Sequence, residues 1–284
     1  EYIWKLVGFD GLKSLWQGLV AIDRLNKIAC HLRPYELNHG ETSRSFKRGL
    51  KLIEDGLATD RLKANLEKIK ADFKNIKVRQ EDRPIIGVAG DIYTRQNYFA
   101  NNYLFERLEA LGCEVWPSPF IIEEVDFTFS RGLYETLAEG KLIHSLAYAG
   151  LNLIKERKRR EVQKKLEVTD LEIKEPDFKE LVKFTTTYLN YDNNQSLFLN
   201  VARMVDFARK GADGLINVIC FNCMLGLTSA AISSRIKGDF ENLPIPTLIY
   251  GETENSSASG RLEAFVEQVK ARYRKKKLNQ AVNP

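Results

Sequence analysis

Four cysteines in 284 residues are too few to build a disulfide framework. They predict a reducing, cytoplasmic setting in which thiols are free, catalytic or metal-bound. Histidine is scarcer still: His31, His39 and His144 are scattered, and no H-E-x-x-H pattern occurs. No apolar run approaches the roughly 20 residues that span a bilayer, so no membrane anchor is expected. The opening residues, Glu1 to Lys5, lack the basic end and apolar stretch of a signal peptide. An initiator methionine is also missing, which predicts a piece of a longer polypeptide or one whose start is missing. Excess charge of one sign is absent too. With 43 basic and 38 acidic residues the net charge is only +5, a mixed surface rather than a nucleic-acid footprint. The basic run from Lys155 to Lys165 is broken by Glu156 and Glu161 and reads as a solvated helix face. Three phosphate and nucleophile signatures are missing: the Walker G-K-[ST], the dinucleotide G-x-G-x-x-G and the elbow G-x-S-x-G. Internal repeats and low-complexity tracts are absent as well.

What is present is an alternation of helical and β patterns. Leu12, Leu15, Trp16, Leu19, Ile22 and Leu25 recur at helical spacing, in a segment closed by Arg33-Pro34. A second helix is predicted over Ser45 to Leu57. A third is capped by Thr59-Asp60, with Leu62, Leu66, Ile69 and Phe73 on one face. Residues 1–82 thus form a helical segment. From 83 to 275 an α/β domain is expected. Its strands are Ile85 to Ala89, Cys113 to Trp116, Leu215 to Ile219 and Thr247 to Tyr250. Its helices run from about Tyr98 to Leu111, Leu197 to Lys210, Leu227 to Ile236 and Arg261 to about Arg274. A helical insertion is placed at about 120–194, with Phe120 to Phe129 as loop or short strand. A loose polar tail follows, 276–284. Right-handed crossovers favour a small parallel sheet with helices on both faces.

Chemistry concentrates after the third strand. The run from Gly211 to Gly226 ends an apolar strand in Cys220 and Cys223, spaced C-x-x-C, before a helix. Ligands of open α/β sheets sit beyond the carboxyl ends of the strands. Soft thiolates there suit a metal or an iron–sulfur cluster. Thiol–disulfide exchange is a second use of the spacing, and an inert core thiol beside a loop thiol is a third. A closed zinc site needs four ligands, and no second C-x-x-C pair exists. Two loops lie at the same predicted edge. One is Gly90 to Asn102, where helix-start amides and Arg95 would hold an anion, or which simply caps the helix. The other is Tyr250 to Gly260, with Glu252 and Glu254.

Several blocks resemble the C-terminal region of the large CoA-substrate-specific enzyme activase proteins. These are Ile86 to Arg95, Phe99 to Asn102, Leu108 to Trp116, Asp206 to Val218, Cys223 to Gly226 and Arg261 to Phe265, with Arg33 to Glu36 and Gly40 to Thr42. That family is related to 2-hydroxyacyl-CoA dehydratase subunits and double-cubane cluster proteins, and the resemblance implies a flavodoxin-like sheet with a cluster-ligating cysteine after a late strand. The resemblance implies a [4Fe–4S] cluster with Cys223 as ligand and Cys220 as candidate second, the ligand set being incomplete in this chain. It also implies an activase ATPase domain or subunit as partner, with acyl-CoA chemistry. Glu252, Glu254 and Arg95 are candidates for the cluster edge or substrate. Three departures stand out. Leu225 replaces the family's proline, Gly251-Glu-Thr-Glu254 replaces Asp-Gly-Gln-Glu, and Cys220 is an additional cysteine. The expectation is an electron-accepting iron–sulfur component of an ATP-dependent reductase or activase system. The rival expectation is a non-catalytic regulatory or scaffolding domain that binds the ATPase without a cluster.

Overall fold

A computed structural model describes residues 2–120, 122–168, 175–251 and 257–282, with side chains from Gly8 onward and from Gly260 to Ala281 in the last helix. The chain forms two compact units, one from residues 1–80 with 119–175 and the other from 81–118 with 176–284.

The first unit is helical. α1 (Tyr2–Leu32) is interrupted at Gly8, and a short 3-10 turn at Arg33–Tyr35 follows it, with Pro34 in the turn. Then come α2 (Glu41–Ala58), α3 (Leu62–Lys74), α6 (Ile122–Ala138) and α7 (Leu142–Lys165). The predicted stripes largely do pack inward. Trp16, Val20 and Leu25 meet Ile53, Leu66, Ile69 and Phe73, and Ile122, Val162 and Leu166 join them. Two expectations change. The third helix starts without a side-chain cap, after Arg61, because Asp60 turns into the left-handed region. The described part of Phe120 to Phe129 is not a strand: from Ile122 it is helical, with Ile122 and Phe127 on a buried face.

The second unit carries a four-stranded parallel sheet in the order β2-β1-β3-β4. The strands are β1 (Ile85–Gly90), β2 (Glu114–Pro117), β3 (Gly214–Cys220) and β4 (Thr247–Tyr250). β1 leads through α4 (Ile92–Gln96) and α5 (Leu104–Ala110) to β2, so the single expected helix from Tyr98 is two short ones. The left-handed Asn102 and Tyr103 separate them. α8 (Phe178–Thr185) and α9 (Gln195–Arg209) precede β3. α10 (Met224–Asp239) and α11 (Ser257–Val282) follow β3 and β4.

Side chains alternate across a strand, which assigns the helices to faces. A Cβ on Gly87 would strike Phe207 of α9, whereas one on Gly214 would strike Val269 and Phe265 of α11. Gly87 pairs with Leu215, one residue beyond Gly214, so α9 and α11 cover opposite faces. The predicted loose tail is instead helical to Val282. Its lysines are tied down: Lys276 Nζ donates to the Gly211 carbonyl at 2.8 Å and Lys277 Nζ to Asp82 at 2.5 Å. Among the described residues no helix is long and apolar enough to cross a membrane.

Candidate functional site

The strand order makes β1 and β3 neighbours, with β2 on one side and β4 on the other. The chain leaves β1 toward one edge of the sheet and leaves β3 toward the other. Their carboxyl ends therefore flank the topological switch point, where open α/β sheets bind ligands. Gly90 ends the first of these strands, with Asp91 following it as the N-cap of α4, and Cys220 ends the second.

The two strand ends approach closely. The Asp91 amide donates to the Val218 carbonyl at 2.7 Å. A Cβ on Gly90 would lie 1.9 Å from that same oxygen, and Gly90 has φ +125°, so only glycine fits there. The Asp91 carboxylate caps α4, accepting from the Thr94 amide at 2.7 Å and the Thr94 hydroxyl at 2.6 Å. An anion at this helix start would meet a carboxylate already in place. Arg95 is buried and donates to the Gly90 carbonyl at 2.6 Å, so its guanidinium braces the turn after β1.

Cys220 and Cys223 are brought together by a tight turn. The Cys223 amide donates to the Cys220 carbonyl at 3.3 Å, and Asn222 takes the left-handed conformation that asparagine tolerates. Cys223 is the N-cap of α10, whose first residue is Met224 rather than Leu227. Its Sγ accepts the Gly226 amide at 3.3 Å, so the helix start favours negative charge on this sulfur. Both thiols are free and half-buried. Burial pushes the Cys220 thiol above its ordinary value. A hydrogen bond with Cys223, the charge of Cys223 and the Asp91 carboxylate all act in the same direction. Phe221, Met224 and Leu227 around the thiols are 54%, 78% and 60% exposed, an apolar rim beside reactive sulfur.

Beneath the thiols lies a buried amide. Asn217 sits inside the apolar run of β3 and is fully buried. Its Nδ2 donates to Ser229 of α10 at 2.9 Å and its Oδ1 accepts from Asn200 of α9 at 3.1 Å. Sequence reasoning missed both Asp91 and Asn217. A lone asparagine within Leu215 to Ile219 was the available signal for a buried polar network. Asp91 had no such signal, since its nearness to Cys220 depends on β1 pairing with β3.

The remaining cysteines lie elsewhere. Cys30 is fully buried in α1, with Sγ 3.9 Å from Asn26 Oδ1. Cys113 is fully buried before β2. Glu252 and Glu254 fall outside the described residues. Among the described residues no group of three or more His, Cys, Asp or Glu side chains is arranged to hold a metal ion. Two soft donors on an amide-lined helix start fit part of a cluster or metal shell, and the rest of the shell needs other donors. Compared with protein-family models, curated proteins and solved structures, the chain matches none.

Proposed function

We propose that Cys220 and Cys223 are two thiolate ligands of an iron–sulfur cluster, probed most directly at Cys223, in an electron-accepting component of an ATP-dependent reductase or activase system. One observation carries this reading: two thiols set on one tight turn at the switch point of a parallel sheet, one of them capping a helix. The sequence resemblance to the CoA-substrate-specific activase proteins supplies the reaction class, acyl-CoA chemistry of the 2-hydroxyacyl-CoA dehydratase kind. A cluster bound here would supply one-electron transfer. The chain's own residues would hold and tune it: Cys220 and Cys223 as ligands, the Gly226 amide as donor to the Cys223 sulfur. The exposed Phe221, Met224 and Leu227 give an ATPase partner or a further domain an apolar surface from which to deliver the missing ligands.

The test is anaerobic purification with iron, acid-labile sulfide and visible absorption measured together, before and after reconstitution. Stoichiometric iron and sulfide are expected, with loss of both in Cys223→Ser at unchanged circular dichroism. Full iron retention in that variant overturns the assignment. A colourless chain that still binds the ATPase supports the docking-domain alternative.

A second reading has its own observation, the tight turn that sets both thiols beside the start of α10. A C-x-x-C pair at a helix start is also the arrangement of a dithiol–disulfide couple. Exchange with a disulfide substrate would join Cys220 to Cys223 and release that substrate as two thiols, which take up the two electrons and two protons. Reversible loss of two alkylatable thiols in an iron-free preparation would favour it.

A further inference from the structure

α6 and α7 form an antiparallel hairpin whose inner seam is well defined. Ser145 bonds Thr136 at 3.0 Å, Tyr148 stacks edge-on to Phe129 at 6.1 Å, and Asn152 donates to the Phe129 carbonyl at 3.3 Å. Lys155 meets Asp126 at 2.7 Å, and Arg159 pairs with the same carboxylate. These residues recur every three or four positions and occupy the face of α7 turned to α6.

The opposite face of α7 has the same spacing and, among the described residues, no cover. Ile143, Leu146, Gly150, Leu153, Arg157 and Arg160 make a stripe of alternating three- and four-residue steps, the pattern of a helix–helix seam. Ile143, Leu146 and Leu153 are 82%, 73% and 72% exposed. A Cβ on Gly150 would meet nothing within 4 Å. Between Leu142 and Ile154 there is no Asp, Glu, Lys or Arg. The stripe then turns basic at Arg157 and Arg160, while the hairpin tip carries Glu135, paired with Arg131 at 2.6 Å, and Glu139, paired with Lys141 at 2.7 Å.

We propose that this hairpin is a self-association surface on which a second copy of the chain packs antiparallel, α7 against α7, crossing at Ala147 and Gly150. Three features select that occupant. The small residues at the crossing let two helices approach to about 8–10 Å. An antiparallel copy lays the uncharged half of one stripe on the uncharged half of the other, with Ile143 opposite Ile154. The same register carries the Glu139 carboxylate of each tip, held by Lys141, to Arg157 of the second copy, which would share it. Covering Leu137, Leu142, Ile143, Leu146, Leu153 and Ile154 would remove roughly 700 Å² per copy from water, close to the ~800 Å² per partner of a standard interface. A lipid surface fits less well. The apolar run is short, its tip carries carboxylates, and the arginines continue the stripe instead of flanking it. The inference does not rest on the thiol site.

Sedimentation velocity of the full chain over about 1 to 100 µM tests it. A dimer is expected. Leu146→Glu with Leu153→Glu should weaken it by at least roughly a hundredfold, with circular dichroism and thermal midpoint unchanged because both positions are exposed. Arg157→Glu should weaken the dimer, and adding Glu139→Arg should restore it. A wild-type chain that stays monomeric throughout overturns the proposal. So does a monomer that floats with phosphatidylserine vesicles, or a dimer that survives the double glutamate variant.

Discussion

Asn217 of β3 donates to the Ser229 hydroxyl of α10 at 2.9 Å, joining the strand that ends in Cys220 to the helix that Cys223 caps. Ser229 passes the bond on to the Gly226 carbonyl at 2.8 Å, one peptide from the amide that meets the Cys223 sulfur. The turn between the two thiols is thus held from below by a buried network. Such a network loses stability wherever a buried member lacks its partner, as Asn200 Oδ1 already does.

Asn217→Ala should expose that dependence. It removes the acceptor of the Asn200 amide and the donor to Ser229, and leaves a small cavity. A loss of about 2–4 kcal/mol in urea denaturation is expected. Thiol alkylation at Cys220 and Cys223 should accelerate in the folded state, since the helix start loses its anchor to the strand. A loss below about 1 kcal/mol with unchanged thiol kinetics would mean that the turn holds itself.

Gly90 and Gly112 make a paired test of backbone constraint. Both have positive φ, +125° and +88°. At Gly112 an added Cβ meets nothing within 4 Å, so Gly112→Ala should cost only about 1 kcal/mol of backbone strain. At Gly90 the Cβ would lie 1.9 Å from the Val218 oxygen, and β1 would be forced away from β3. Gly90→Ala should lose more than about 4 kcal/mol or fail to accumulate as soluble protein. Thermal midpoints of the two variants decide the comparison; equal midpoints would contradict the close packing of the strand ends.

The strands were legible where apolar runs ended in punctuation. Thr247 to Tyr250 forms as expected, and Leu62, Leu66, Ile69 and Phe73 are buried together on α3. Phe127 and Phe129 mimic strand alternation, yet Phe127 is 2% exposed within a helix that packs on the helical core. Local periodicity cannot separate those cases when tertiary burial decides. Polarity at Lys276 and Lys277 suggested a loose end, but both lysines find partners far away in sequence, at Gly211 and Asp82. The position of Cys220 and Cys223 at the end of a strand was readable. The nearness of Asp91 was not, because a parallel pairing between residues well over a hundred apart leaves no trace in spacing.

Cys113 gives stability an alkaline limit. Burial pushes its thiol from 9.0 up to about 11. The unfolded chain then releases the proton first, so between about pH 9 and 11 the native state binds more protons and stability falls as pH rises. A hundredfold difference in proton affinity corresponds to about 3 kcal/mol. Cys113→Ala should remove that part of the slope. Urea titrations of both proteins from pH 8 to pH 11 measure it, and parallel curves would show the thiolate to be accommodated in the fold.

Lys155 should act in the opposite direction over a neighbouring range. Its ammonium lies 2.7 Å from the Asp126 carboxylate and 5.2 Å and 5.7 Å from the ring centroids of Phe129 and Trp16, contacts that favour charge. Burial opposes them and lowers the amine from 10.5 to about 8. Between those values the unfolded chain holds the proton that the native state has released, so stability rises with pH. Lys155→Met keeps the apolar stem, and Arg159 still pairs with Asp126 in its absence. Relative to that variant the native protein should gain on the order of 2–3 kcal/mol from pH 8 to pH 10.5. A gap that does not change with pH would mean that Asp126 and the two rings fully offset burial of the charge.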